Sequence, residues 1–273
     1  MKRKPDTLIH NDFYYGDEEH AHYEKKGYYI FEEFLSGEAI EYCREQLERM
    51  LGELKSDFSP DMMIGTHQLG EQWISDLAIE PRLLDLVERH IGPNIVLWAS
   101  HLLIKQPHTG RPVPWHQDAP YWNISGPFSG SVWVPFDNID DENGAMSIIP
   151  SWHNKGTLKR LYRDKVFKEF SEEIDPEYLP DNIDQVKVKY LMSAGQMAIH
   201  HTMLPHNSVP NKSDHWRRVL VLRYMVSDCQ INDMEYEDYR TGELFPRQYY
   251  LVRGKDLLDQ GLNTDFLHVA VEN

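Results

Sequence analysis

The most chemically pointed stretch of this chain is Trp115-His116-Gln117-Asp118. In a strand, residues i and i+2 project to the same face. A His-x-Asp pair can therefore present an imidazole and a carboxylate side by side toward the inside of a barrel. Two histidines and one carboxylate on one face of a metal, with the other positions open, form the donor set of oxygen-activating non-haem iron(II). The open positions are needed because a co-substrate and O2 must also bind. Taken alone, the tripeptide equally describes a hydrogen-bonded pair in a loop. A metal site needs a third ligand from further along, and His200, His201 and His206 are available. In a regular strand His200 and His206 share a face while His201 points away, so parity leaves His200 and His206 both open.

Residues 207–214 (NSVPNKSD) are dense in turn formers and lead into RRVLVLRYMV. If the two segments form a hairpin, Arg217 returns close to His206. A planar guanidinium there can grip the far carboxylate of a dicarboxylic acid bidentately. Read in isolation, Arg217 is equally a surface cation. Strand parity puts Arg217, Val219, Val221 and Arg223 on one face, and Arg218, Leu220, Leu222 and Tyr224 on the other.

Holding such groups in place takes a rigid scaffold, and the pattern supplies one. Ser36 is an N-cap for a helix carrying Ala39, Ile40, Cys43, Leu47, Met50, Leu51 and Leu54 at helical spacing. A second helix spans about 81–91, with Pro81 in its first turn and Gly92-Pro93 as its stop. From Ile95 onward short strands follow: 95–104, 131–136, 147–149, 186–192, 197–204 and 218–226, with a shorter one in 27–35. The expected fold is mainly β with supporting helices, a double-stranded β-helix (jelly-roll, cupin-like) core in one domain over 1–273. Residues 1–20 form either a loose arm or a segment that packs late. The charged block 155–185 reads as a lid-like insertion, and 56–75 as a second loop placed to select substrate.

Other conspicuous groups have plainer readings. His153 reads as a structural loop histidine, and His67, His101, His200 and His201 as hydrogen-bonding side chains. Lys105 either steers an anion or caps a strand end. Tyr121 and Trp122 form a pocket wall or ordinary rim. The run 137–142 is a solvated turn.

A length of 273 residues with 41% hydrophobic and 12% aromatic content suits a packed globule. The net charge of -16 repels phosphates and anionic membranes, so neither nucleic acid nor membrane is the expected partner. Two cysteines make no disulfide framework, and the basic N-terminus is followed by no apolar run. The expectation is a soluble, cytoplasmic protein acting on a small molecule, with its oligomeric state unread.

Across 27–225 the chain resembles the phytanoyl-CoA dioxygenase family of iron(II)/2-oxoglutarate oxygenases. The matching residues are Ile104-Lys105-Gln106-Pro107, Trp115-His116-Gln117-Asp118 with Tyr121-Trp122, Val132-Trp133-Val134, and Asn143-Gly144-Ala145. Ile149-Pro150-Ser151-Trp152-His153 follows, and then His206-Asn207-Ser208 with Asn211, Ser213, Arg217 and Tyr224. Order and spacing match together, which is more specific than any one piece. The resemblance implies Fe(II) held by His116, Asp118 and His206, with 2-oxoglutarate and O2 as co-substrates. It implies Arg217 on the far carboxylate of 2-oxoglutarate, helped by Ser208, with Trp133, His101 and Gln68 around the co-substrate. Two departures leave the metal set alone. The family often has Pro-Gly-Ser-His where this chain has Pro150-Ser151-Trp152-His153, and an acid where it has Gln196. Halogenating relatives replace the carboxylate by a small residue; with Asp118 present, the implied reaction is hydroxylation, releasing succinate and CO2. Desaturation, cyclisation or epimerisation is the alternative outcome. A metal-binding β-barrel without oxygenase activity is the alternative function.

Overall fold

A computed structural model describes residues 2–122, 130–162 and 172–265. In chain order its elements are α1 (Asp17–Lys26), β1 (Tyr28–Phe31), α2 (Gly37–Gly52), β2 (Met62–Ile64), α3 (Gln72–Ala78), α4 (Pro81–Ile91), β3 (Ile95–Lys105) and β4 (Val113–His116). Next come α5 (Ala119–Trp122), β5 (Gly130–Pro135), β6 (Met146–Ile148), β7 (Arg160–Tyr162), β8 (Glu172–Ile174), α6 (Ile183–Val186) and β9 (Val188–Lys189). The last are β10 (Met197–His201), β11 (His206–Ser208), β12 (Arg217–Val226), β13 (Glu235–Glu237), β14 (Leu244–Pro246) and β15 (Tyr250–Arg253).

Two antiparallel sheets face each other. The larger runs β1-β10-β5-β12-β3-β15, with β2 added to the same outer edge of β3. The smaller runs β4-β11-β6-β9. The alternation in β12 explains the layering. Leu220, Leu222 and Tyr224 join Val132, Val134, Met197 and Ile199 on the outer face of the large sheet. There they bury against Ala39, Cys43, Leu47 and Met50 of α2 and Leu83, Leu84, Leu86 and Val87 of α4. Val219, Val221, Trp133 and Ala198 face inward and meet Met146 and Ile148 of the small sheet. Helices thus cover one side of the large sheet, and the site lies on its other side.

Several expectations hold and several give way. Ser36 caps α2 through its hydroxyl, which accepts from the Ala39 N–H at 3.1 Å. Pro81 opens α4. Residues 1–20 pack rather than hang loose: Leu8, Ile9 and Phe13 are buried, and Ile9 bridges Leu35. The 56–75 segment is also built in. It supplies β2, and Thr66, His67, Gln68, Trp73 and Ile74 are buried. The run 186–192 is strand only at β9, because one turn of helix, α6, precedes it. Of the lid-like 155–185 segment, 163–171 lies outside the described residues. Its flanks form the β7–β8 hairpin, and β8 packs against β4. Among the described residues no helix is long and apolar enough to cross a membrane.

One glycine joins helix layer to sheet. Gly27 ends α1 at φ +80, donates to Tyr23 O at 2.6 Å, and accepts from the His201 N–H at 2.8 Å. A Cβ there would approach His153 Nδ1 to 2.5 Å. We expect Gly27→Ala to lower unfolding stability by about 1–3 kcal/mol, from left-handed strain plus the clash. Urea denaturation checks it, and an unchanged midpoint would show that the junction relaxes freely.

Candidate metal and co-substrate site

The run 197–204 does not continue as one strand. It breaks after His201, where Leu204 N–H returns to His201 O at 2.8 Å and Met203 N–H donates to His201 Nδ1 at 3.0 Å. The chain crosses here from the large sheet to the small one. His200 therefore ends on β10, while His206 opens β11 directly opposite His116 of β4. That crossing brings His206, and not His200, beside the motif. His116, Asp118 and His206 form one buried group whose candidate ligand atoms all lie within 4.8 Å of one another. The Nε2 atoms of His116 and His206 are each 3.8 Å from Asp118 Oδ1. His200 instead packs its ring on that of His206, with centroids 5.3 Å apart. His201 faces away toward His153, at 5.1 Å.

The backbone sets the tautomers. His116 Nδ1 donates to Pro114 O at 2.8 Å, and His206 Nδ1 to Leu204 O at 2.9 Å. A carbonyl only accepts, so each Nδ1 carries the proton and each Nε2 presents a lone pair toward Asp118. Burial pushes both imidazoles below their ordinary range, to about 3 for His116 and about 4 for His206, so both are neutral at neutral pH. Burial also works against ionising Asp118. Arg223, His206 and His116 beside it outweigh that and hold its carboxyl well below the usual range.

Arg223 is the residue the sequence reading missed in its role. Its Nη1 donates to Asp118 Oδ2 at 2.6 Å and to Ser131 Oγ at 3.1 Å, and its guanidinium lies 4.4 Å from the Trp122 ring centre. The available signal was its shared face with Arg217 on an otherwise apolar strand. Gln117, between the two motif ligands, points the other way. It donates to Gly156 O and Met203 O at 2.9 and 2.8 Å, and accepts from the Leu158 N–H at 2.8 Å.

Arg217 sits at the far end of the same face of β12, opposite Lys105. It is 3% exposed and has no acidic partner among the described residues. Its guanidinium is 5.3 Å from the Trp133 ring centre, and its Nε is buried with no hydrogen-bond partner. Burial lowers it to about 10, still a cation at neutral pH. Lys105 is a cap: its ammonium donates to Arg111 O and to Val209 O. Ser208 is buried, two residues beyond His206. His101 lies toward the other end, where the charged neighbours acting on it are Arg223, Asp118 and Arg247. Gln68 donates to Pro246 O at 3.3 Å, beside Arg247. The structure thus gathers Arg217 and Trp133 at one end, and His101 and Gln68 at the other. His153 is structural, bonding Glu24 O at 3.2 Å. The Tyr121 side chain lies outside the described residues.

This arrangement fits a dication with an acidic co-substrate. Three buried donors converge, and buried polar atoms with no hydrogen-bond partner, Arg217 Nε, Trp133 Nε1 and His200 Nδ1, stand around them. One other described group could hold a cation, His20, Glu24 and His90. There the two histidines already share the Tyr15 hydroxyl, at 2.9 and 2.7 Å.

Comparison with known proteins decides the family. The phytanoyl-CoA dioxygenase (PhyH) family model matches residues 23–219, which include the three candidate ligands and Arg217. The chain belongs to the phytanoyl-CoA dioxygenase family. It is a non-haem iron, 2-oxoglutarate-dependent dioxygenase, and the reading as a metal barrel without oxygenase activity is set aside. It is similar to the peroxisomal phytanoyl-CoA dioxygenase of Mus musculus, 27% identical over 249 residues, covering 80% of this chain and 70% of that one. It is also similar to a probable alpha-ketoglutarate-dependent hypophosphite dioxygenase of Stutzerimonas stutzeri, 26% identical over 259 residues and covering 86% and 90%. The structure of EvdO2 from Micromonospora carbonacea var. aurantiaca complexed with 2-oxoglutarate superposes with a TM-score of 0.66 at 19% identity, covering 81% and 94%. That likeness supports the jelly-roll core of this PhyH protein.

The Asp118–Arg223 pair yields a test. Removing the cation alone strands a buried carboxylate, a loss of about 3–5 kcal/mol. We expect Arg223→Leu to lose stability of that order in metal-free protein. Added Mn(II) stabilises any folded form that binds it, so we expect it to raise the unfolding midpoint of wild type and much less that of Asp118→Ala. Denaturation with and without Mn(II) measures both; an equal response to Mn(II) in Asp118→Ala would mean that Asp118 is not a ligand.

Proposed function

We propose that this PhyH-family protein hydroxylates an unactivated C–H bond of a small molecule, with iron(II) held by His116, Asp118 and His206 and the far carboxylate of 2-oxoglutarate held by Arg217. The observation that carries the reading is the pairing of a buried three-donor group with a buried arginine lacking an internal acid, both turned into the space between the sheets. An isolated buried cation is costly unless an anion meets it. A dicarboxylate that reaches from the metal to Arg217 supplies that anion.

Bound iron(II), with 2-oxoglutarate and O2, supplies the oxidising power for oxygen insertion, yielding succinate and CO2. The chain supplies the geometry. The carbonyls of Pro114 and Leu204 keep both imidazoles in the ligating tautomer. Arg223 keeps Asp118 charged, holding Oδ2 at 2.6 Å and, more loosely at 3.4 Å, the Oδ1 that faces the imidazoles. Arg217 binds, Trp133 forms the wall beneath it, and Ser208 contributes a hydroxyl on the His206 strand. Val219, Val221 and Trp133 keep water out between the two ends. With Asp118 present as a third protein donor, the set would hold iron without the gap that a halide would fill, which supports hydroxylation. Residues 156–158, tied to Gln117, and β8, packed on β4, stand beside the candidate ligands, which supports a part for this region in substrate selection.

The test is anaerobic addition of iron(II) and then 2-oxoglutarate, watching for the visible charge-transfer band of the chelate. We expect the band in wild type, its loss in His206→Ala, and about a hundred-fold weaker 2-oxoglutarate binding in Arg217→Ala, as for removal of one partner from a buried charged contact. Iron binding without any band would overturn the 2-oxoglutarate reading.

A further inference from the structure

In a chain with 44 acidic and 28 basic residues, an arginine easily finds an acid. Among the described residues every arginine but two does so. Arg223 pairs with Asp118, Arg218 with Asp137 and Arg253 with Asp85 and Glu88, and the others pair likewise near the surface. The exceptions are Arg217 and Arg247. Arg217 has the co-substrate as its anion in the reading above, on which the present inference rests. Arg247 is left over.

Arg247 follows β14, in a part of the chain where the sequence reading assigned nothing. Its hydrogen bonds go only to neutral groups: Nη1 to Asn232 Oδ1 at 3.2 Å and Tyr249 Oη at 3.4 Å, and Nη2 to Met234 Sδ at 2.8 Å. Its Nε is buried with no hydrogen-bond partner. Its guanidinium stands 5.0 Å from the ring centres of both Trp98 and Tyr236. A bulge in β3 makes this placement. Arg223 pairs with Ala99 and Tyr224 with Leu97, so Trp98 is the extra residue. Trp98 then packs on Trp122 at 4.8 Å, and Trp122 carries the Arg223 guanidinium. Arg247 is thereby linked to the metal carboxylate through one aromatic pair.

The groups around this space are donors and aromatic faces. His101 turns in from β3 among Arg223, Asp118 and Arg247. The Tyr236 hydroxyl is buried and lies beside the Arg247 guanidinium. Asp118 is the one carboxylate ion-paired here, and the metal also draws on it. Among the described residues no carboxylate answers Arg247 itself.

We infer that the substrate carries an anionic oxygen group, a carboxylate or a phosphate or phosphonate, which docks on Arg247 with His101 and Tyr236 beside it. Trp98 and Trp122 then flank the carbon skeleton, and the C–H to be oxidised lies between the anchored group and the metal. Anchoring by a planar fork fixes both distance and orientation. This also gives His101 and Gln68 a place on the substrate side rather than around 2-oxoglutarate.

The experiment uses protein loaded with redox-inert Ni(II) and saturating 2-oxoglutarate, so that Arg217 is occupied. Acetate, inorganic phosphate and methylphosphonate are titrated separately, read by tryptophan fluorescence and calorimetry. Saturable binding of acetate points to a carboxylate substrate, and of phosphate or methylphosphonate to a phosphoryl or phosphonate one; either supports the inference. We expect Arg247→Gln to weaken that binding on the order of tenfold or more and Arg247→Lys to recover part of it, with 2-oxoglutarate affinity unchanged in both. Thermal unfolding of each variant verifies that it is folded, and Arg247→Lys is the readout if Arg247→Gln is not. No saturable binding of any probe, or binding that ignores Arg247, would overturn the inference and leave the Arg217 reading standing. Loss of 2-oxoglutarate binding in Arg247→Gln would overturn it differently, by moving Arg247 to the co-substrate. Arg217→Ala, titrated with 2-oxoglutarate alone, reports separately on the reading beneath it.

Discussion

The site depends on keeping one buried carboxylate ionised. Asp118 is almost wholly removed from water, which by itself favours the neutral acid. Arg223 reverses that preference from a strand, β12, that is long and anchored on both edges by β3 and β5. The carboxylate therefore waits in the charged form, one oxygen held closely by the arginine and the other, more loosely held by it, turned to two neutral imidazoles. A candidate ligand set of this kind needs little rearrangement to accept an ion. Its preorganisation is electrostatic as much as steric.

β12 also distributes charge along the site. Its inner face carries Arg217 and Arg223 six residues apart, with Val219 and Val221 between them. Two cations on one strand would repel and resist burial in an apolar core. Asp118 answers Arg223, and Arg217 has no acid beside it among the described residues. The outer face of the same strand is pure core, locked under α2 and α4. Function on one face and stability on the other share a backbone, which fixes the spacing of the cations as firmly as the packing of the helices.

Much of this was legible in residues alone. The cap at Ser36, the proline opening α4, the alternation of β12 and the His-x-Asp pair are local signals, and each states its structure within a few positions. What escaped was non-local. Nothing between Met197 and Leu204 marks where strand gives way to turn, because apolar residues suit both. The choice of His206 over His200 thus depended on a crossing between sheets visible only in three dimensions. The tie from Arg223 to Asp118 spans 105 positions, and an arginine's partner leaves no trace in its own neighbourhood. The 56–75 segment reads as loop from its prolines and glycines, yet β3 had an open edge that recruited it as β2. The late strands β13 to β15 are short and lack alternation, so Arg247 had no element to belong to until the fold supplied one.

Gln117 has one more implication. It stands between two ligands and faces away from both, tying the turn at Met203 and the base of the 155–185 segment into a single knot. The same short peptide is thus a coordinating surface on one side and a rivet on the other. A displacement at residues 156–158 bears on the His116–Asp118 peptide through the Gln117 side chain. Any lineage that remodels the insertion to accept a new substrate must therefore work around this rivet, keeping residues 156–158 in register while varying what lies beyond them.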